Sequence, residues 1–231
     1  MKKLMKAIAA IMLTVVVICG VGCKKENNGN TNGHAYVDLD LPSGLLWATC
    51  NIGANAPEDY GDYFAWGETK TKDTYNWSTY KWCKGDYDQL TKYCNNSSYG
   101  YNGFTDKLST LKFRDDAARA NWGGDWRMPT IEEWGELMNY TTWVWTMQNG
   151  VYGKKITASN GNSLFLPAAG CCGDDSLNFD GTSGRYWSSS LISGYPDSAR
   201  ILLFGSGYGY WSLYSRYFGL SVRAVLATSK N

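Results

Sequence analysis

Histidine is almost missing from this sequence: its 231 residues contain one, His34. General-base chemistry built on imidazole is disfavoured from the outset. Neither sign of charge is in excess, with Lys and Arg together numbering 22 and Asp and Glu 21. That balance leaves no basic footprint for nucleic acid. The sharpest absence is local. Gly184 to Val225 contains no Asn, Lys, Glu, Gln or Met. Asn occurs 16 times in residues 1–178, and equal density would place about five in residues 179–230, which hold none. Lys, Glu, Gln and Met together occur 28 times in residues 1–178, and residues 179–229 hold none against about eight expected. In their place stand Tyr, Ser and Gly, within a chain that has 11 Trp and 17 Tyr. Tyr and Trp at this density suit a face that grips a ligand as well as a core.

The chain opens with Lys2, Lys3 and Lys6, then an apolar run from Ala7 to Val21 that is too short for a comfortable membrane span, then small Gly22 before Cys23. Residues 1–22 resemble a bacterial lipoprotein signal peptide, which implies cleavage before Cys23 and lipid on its sulfur and amine. Residues 23–34 include KKENNGNTNG, too polar to bury apolar surface, and read as a flexible tether. Residues 35–231 then form one domain held at a membrane through a lipid anchor, on the outer membrane and facing outward. Cys50, Cys83, Cys94, Cys171 and Cys172 remain after Cys23. Export permits disulfides. The favoured pair is Cys83 with Cys94, and buried free thiols are the alternative.

Ala35 to Ile52 has two apolar runs split by Pro42-Ser43-Gly44, a hairpin signature. Tyr60 to Thr69 reads as a tight, partly buried loop-strand, and Lys70 to Lys107 as a long irregular surface insertion. Asp86, Asp88 and Asp106 in it match no calcium-loop spacing. Arg114 to Asn121 reads as a short helix ended near Gly123-Gly124. Thr130, with Glu133 three residues on, predicts a capping box before an amphipathic turn bearing Trp134, Leu137 and Met138. Glu132 and Glu133 therefore read as first-turn acids favoured by the helix dipole, not as catalytic carboxylates. Thr141–Gly150, Lys154–Ala158 and Ser163–Pro167 read as strands, Pro167–Asp175 as a loop, and Ala199–Phe204 and Leu220–Val225 as further strands. Helices and strands that do not alternate point to an α+β fold.

LPSGLLWATCNIGA, YGDYFAWGET, NWGGDWRMPTIEEW, NGNSLFLPAAG, YWSSS and GLSVRAV occur in this order. Together they resemble the Fibrobacter succinogenes major paralogous domain family over about Tyr36 to Leu226. The resemblance implies a C-type lectin-like fold: two helices packed on short twisted antiparallel sheets, with paired N- and C-terminal strands. It implies that Trp126, Arg127 and Pro129 position the second helix. It also implies that Leu220, Val222 and Val225 lie beside the Tyr36–Ile52 hairpin. Calcium-dependent sugar-binding members of the fold carry Glu-Pro-Asn or Gln-Pro-Asp with Trp-Asn-Asp, and none of these tripeptides is present. No metal, cofactor or catalytic residue is expected. Formylglycine-generating enzymes share the fold and depend on a reactive cysteine pair, but nothing near adjacent Cys171 and Cys172 would depress a thiol pKa.

Some members of the family resemble variable proteins of diversity-generating retroelements, in which a reverse transcriptase miscopies adenines, mainly in Asn codons. Changing those adenines cannot yield Lys, Glu, Gln, Met or Trp, which matches the missing types. Trp187 and Trp211 are unreachable from Asn and read as framework. So do Ala199, Leu202, Phe204, Leu220 and Val222. The display set, within residues 191–218, comprises Tyr195, Asp197, Arg200, Ile201, Leu203, Gly205, Tyr208, Tyr210, Ser212, Leu213, Tyr214, Ser215, Tyr217 and Phe218. Its ligand would be a protein or a surface glycan, gripped by rigid tyrosines on an adaptable Ser/Gly surface. A fixed domain is the alternative, because Tyr, Ser and Gly also suit strands and turns. A carbohydrate-binding module using exposed Trp and Tyr is a further one.

Overall fold

The structure is a computed structural model that describes residues 29–227. The signal-peptide reading of residues 1–22, Cys23 as the lipidation site, and the tether up to residue 28 lie outside the described residues. Strands β1 (Gly29–Thr31), β2 (His34–Asp38) and β3 (Leu46–Asn51) open the fold. Helices α1 (Ala117–Trp122) and α2 (Ile131–Tyr140) follow a long irregular stretch. Next come β4 (Thr141–Gln148), β5 (Val151–Ala158), β6 (Ser163–Pro167), β7 (Ala169–Gly173), β8 (Ser176–Asp180) and β9 (Ser183–Leu191). The chain closes with β10 (Ser198–Gly205), β11 (Gly209–Ser215) and β12 (Arg223–Leu226). These form three sheets, ordered β1-β2-β3-β12, β11-β10-β9-β7-β8 and β4-β5-β6. All pairings are antiparallel except that of β7 with β9. The fold is therefore α+β.

The tether boundary at residue 34 is corrected. Asn32 and Gly33 both have positive φ, 50° and 80°, and form a two-residue turn that pairs Thr31 with His34 and Gly29 with Tyr36. Asn-Gly is the dipeptide that such turns favour, because their twist matches that of the flanking strands. Residues 29–34, within a segment whose polarity suggested a free linker, are thus ordered as strand and turn.

Helix α2 forms where local chemistry demands it. The Thr130 hydroxyl accepts the Glu133 N–H at 3.3 Å, and the Glu133 carboxylate accepts the Thr130 N–H at 2.8 Å. The same carboxylate meets both terminal nitrogens of Arg127, at 2.6 and 2.7 Å. Glu133 therefore closes the cap and ties it to the preceding segment, while Glu132 is exposed. Glu133→Ala is expected to cost about 2 kcal/mol in thermal unfolding, and Glu132→Ala less than about 0.5 kcal/mol. Equal losses would mean that the bidentate pair contributes nothing. Trp134 is fully buried against Trp47, with ring centroids 4.8 Å apart, and its indole N–H donates to the Trp187 carbonyl at 3.2 Å.

Two apolar clusters sandwich β10. Ala199 and Ile201 belong to one, with Trp66, Trp126, Trp187, Leu220 and Val222. Leu202 and Phe204 belong to the other, with Trp47, Trp134, Ile156, Leu166, Tyr186 and Val225. Strand β12 pairs with β3, Val225 opposite Trp47. Just before β12, Val222 accepts the Ile52 N–H at 3.0 Å and Leu220 bridges to Phe64.

Residues 70–107 contain no strand of the three sheets, but they are not simply a solvated insertion. Tyr75, Tyr80, Leu90 and Cys94 are buried in a third cluster. Tyr80 of this cluster meets Arg216, which is fully buried. Its guanidinium donates to the carbonyls of Lys92, Tyr93 and Pro196 at 3.1, 3.1 and 2.7 Å, and to the Tyr80 hydroxyl at 2.8 Å. The expected Cys83–Cys94 disulfide is absent: all five described cysteines are free. The thiol of Cys83 donates to the Trp77 carbonyl at 3.0 Å and that of Cys94 to the Asn96 carbonyl at 3.1 Å. Asp106 accepts the backbone N–H groups of Tyr93, Cys94 and Leu108. It organises a turn, and no cluster of His, Cys, Asp and Glu able to hold a metal occurs among the described residues.

Candidate functional site

The expected loop at Pro167–Asp175 is instead mostly strand, with β7 paired to β8 and, at Gly170 opposite Gly184, to β9. That hairpin extends the sheet on one side. On the other, β10 and β11 form a second hairpin whose tip is Ser206–Tyr208, with Ser198 opposite Ser215 and Phe204 opposite Gly209. Strand β11 is the sheet edge. Cross-strand partners share a face, so the register sorts the side chains. Leu203, Tyr210, Ser212 and Tyr214 stand on the face bearing Ile201. Arg200, Trp211 and Leu213 stand on the face bearing Leu202, toward α2, where the Trp211 ring rests beside Gly135.

Of the display set, Tyr195, Tyr208, Tyr210 and Leu213 are exposed. Asp197, Arg200, Leu203, Ser212, Tyr214, Ser215, Tyr217 and Phe218 are partly buried. Ile201 and Gly205 are corrected: both are buried. Strand β10 is interior and covered on both faces, so Ile201 points into the first cluster and Gly205 lies under the Tyr208 ring. The framework residues Trp187, Ala199, Leu202, Phe204, Leu220 and Val222 are all buried. Trp211 is not framework in that sense. It is 54% exposed, beside Tyr208 at 44%, Tyr210 at 48% and Leu213 at 38%.

Tyr214, Tyr217 and Phe218 make a packed row rather than a free surface. Trp77 meets Tyr217 at 5.1 Å, Tyr217 stacks on Phe218 at 4.2 Å, and Phe218 meets Tyr214 at 4.6 Å. The row ends at Arg185, held between the rings of Phe179 at 4.1 Å and Tyr214 at 5.6 Å. Its Nη1 donates to the Ser183 hydroxyl at 2.6 Å, and its buried Nε has no partner. Sequence reasoning missed Arg185; its only signal is a cation opening the YWSSS strand. The Tyr214 hydroxyl lies 3.4 Å from the Cys171 sulfur, and burial first, then that sulfur, pushes it up to about 12. Burial pushes the Cys172 thiol up to about 11, opposite to what a thiolate nucleophile needs.

Comparison with protein-family models, curated proteins and solved structures returns no match to this chain.

Proposed function

We propose that this chain is a lipid-anchored outer-membrane protein, facing outward, that displays a non-catalytic binding surface on a C-type lectin-like domain of the Fibrobacter succinogenes major paralogous kind. One observation carries the proposal: the hairpin tip and edge strand β11 leave four large side chains exposed, Tyr208 and Tyr210 with ring centroids 5.5 Å apart on one face and Trp211 and Leu213 on the other. Large exposed apolar side chains on one contiguous stretch characterise interaction surfaces. Tyr and Trp give wide contact at low entropy cost, and the intervening Ser and Gly let it adapt. The ordered motifs support the family assignment. The loss of Asn from residues 179–230 supports diversification at exposed positions within residues 191–218. The partner is a protein or another cell-surface macromolecule, and Trp211 joins the display residues as an invariant anchor.

Beads coated with the protein are expected to adhere to partner cells. Beads coated with a Tyr208→Ala, Tyr210→Ala, Trp211→Ala, Leu213→Ala variant should adhere at least about tenfold less, with Tm shifted by less than about 2 °C. Retained adhesion in that variant sinks the proposal. Tyr214 and Tyr217 are left intact because they pack inside the aromatic row. Diversification has its own test: a near-copy of the 3′ end in neighbouring DNA, with AAC or AAT at the display codons.

A further inference from the structure

Lys154 is out of place. It sits on β5 directly opposite Trp145 and Leu166. It therefore shares the inward face of its sheet with Ile156 and Leu164, which line the second cluster. Only 7% of its surface is accessible. Among the described residues no carboxylate lies within ion-pair distance of it. Its ammonium reaches the Ser206 carbonyl at 3.3 Å, a long bond, and stands 5.9 Å from the Trp145 ring. Burial lowers its pKa below the ordinary lysine range. Burying an ammonium without an anion is unfavourable, and such groups are normally paired.

This lysine lines an open cavity of about 410 Å³, within the size range of small-ligand sites. The walls are Met138, Thr141, Trp143, Ser206, Tyr208 and the glycines on either side of Tyr208. Lys154 supplies the cavity's only charge. The Trp143 ring, the hydroxyls of Thr141 and Ser206 and one ammonium thus line one monosaccharide-sized space.

We infer that this cavity binds a carboxylate-bearing sugar unit: its carboxylate pairs with Lys154, its ring lies on Trp143, and its hydroxyls meet Thr141 and Ser206. An acidic protein side chain would use the ammonium alone and leave the hydroxyls and aromatic ring idle. The site goes beyond the displayed surface. Its charge and floor come from β4, β5 and α2, and it shares only the hairpin tip with the tail.

The test is calorimetric titration of the protein with glucuronate, glucose and acetate. Glucuronate is expected to bind at least about tenfold more tightly than either of the others, because glucose lacks the anion that pairs with the desolvated ammonium and acetate lacks the ring and hydroxyls. Lys154→Met should remove the preference over glucose while raising Tm by about 2–4 °C, because it removes an unpaired buried charge and keeps the stem volume. Ser206→Ala, at an exposed position, should weaken glucuronate severalfold with Tm unchanged, and serves if Lys154→Met fails to fold. Glucose or acetate binding as well as glucuronate overturns the inference. So does glucuronate binding that survives both variants, no binding of any of the three, or tighter Lys154-dependent binding of a poly-glutamate peptide. Adhesion is read separately with a Tyr210→Ala, Trp211→Ala, Leu213→Ala variant, which leaves every cavity residue intact, so the two proposals fail independently.

Discussion

Arg216→Met is expected to lose about 3–5 kcal/mol of unfolding free energy, read as a fall in the urea midpoint. The magnitude follows from what stays behind. The substitution keeps an apolar stem of similar reach but leaves the carbonyls of Lys92, Tyr93 and Pro196 buried without donors. Each such orphan costs about 1–3 kcal/mol, partly relieved by rearrangement. The guanidinium also lies 5.0 Å from the Trp66 ring and 5.2 Å from the Tyr80 ring, contacts a thioether only partly replaces. The damage should be local first. Residues 70–107 have few ladder hydrogen bonds of their own, so amide exchange is expected to accelerate there before it does in the sheets. A variant within 1 kcal/mol of the parent would show that the third cluster holds without its cation.

Arg223→Met is expected to cost at least as much, about 4–5 kcal/mol, and to loosen the whole molecule. Arg223 is fully buried and donates to Ala48 and Thr49 of β3, Asn51 and Phe165 of β6, at 2.8–3.0 Å. Asn51 in turn donates to the Tyr60 carbonyl at 2.9 Å and the Tyr186 hydroxyl at 3.3 Å. The Tyr186 hydroxyl donates to the Pro167 carbonyl at 2.8 Å. This one network joins strands of all three sheets. Exchange in an Arg223→Met variant should therefore accelerate in β3, β6 and β9 together. Acceleration confined to β12 would contradict the network's reach.

Those two arginines also show where sequence reading stops. Helix α2 was legible because a capping box is local: Thr130 and Glu133 are three residues apart. Strands β4 to β6 were legible because Asn-Gly turns bound them. Arg216 and Arg223 reach partners 124 and 175 residues away, and nothing beside them in the sequence marks them as buried. Ile201 was misread for a related reason. Alternation distinguishes faces only when one faces water, and β10 has core on both sides. Strand β7, Ala-Gly-Cys-Cys-Gly, has almost no intrinsic preference for extended structure; its neighbours β8 and β9 make it a strand. The β1–β2 turn was hidden by composition, since its Asn-Gly sits among other Asn and Gly. The candidate site was half legible. Residue types pointed to the tail, but the exposed cluster centres on β11 and includes Trp211, which codon arithmetic had set aside. Lys154 read only as the start of a strand.

The grip of Arg216 has a bearing on the diversification proposed for the tail. Three of its four acceptors are main-chain oxygens. One belongs to Pro196, between Tyr195 and Asp197, in the stretch where alternative side chains are expected. A bond to a carbonyl is blind to the side chain that residue carries. Exchanges at Tyr195 or Asp197 therefore leave this clamp in place, so the proposed diversification would vary the outer residues over a constant anchorage.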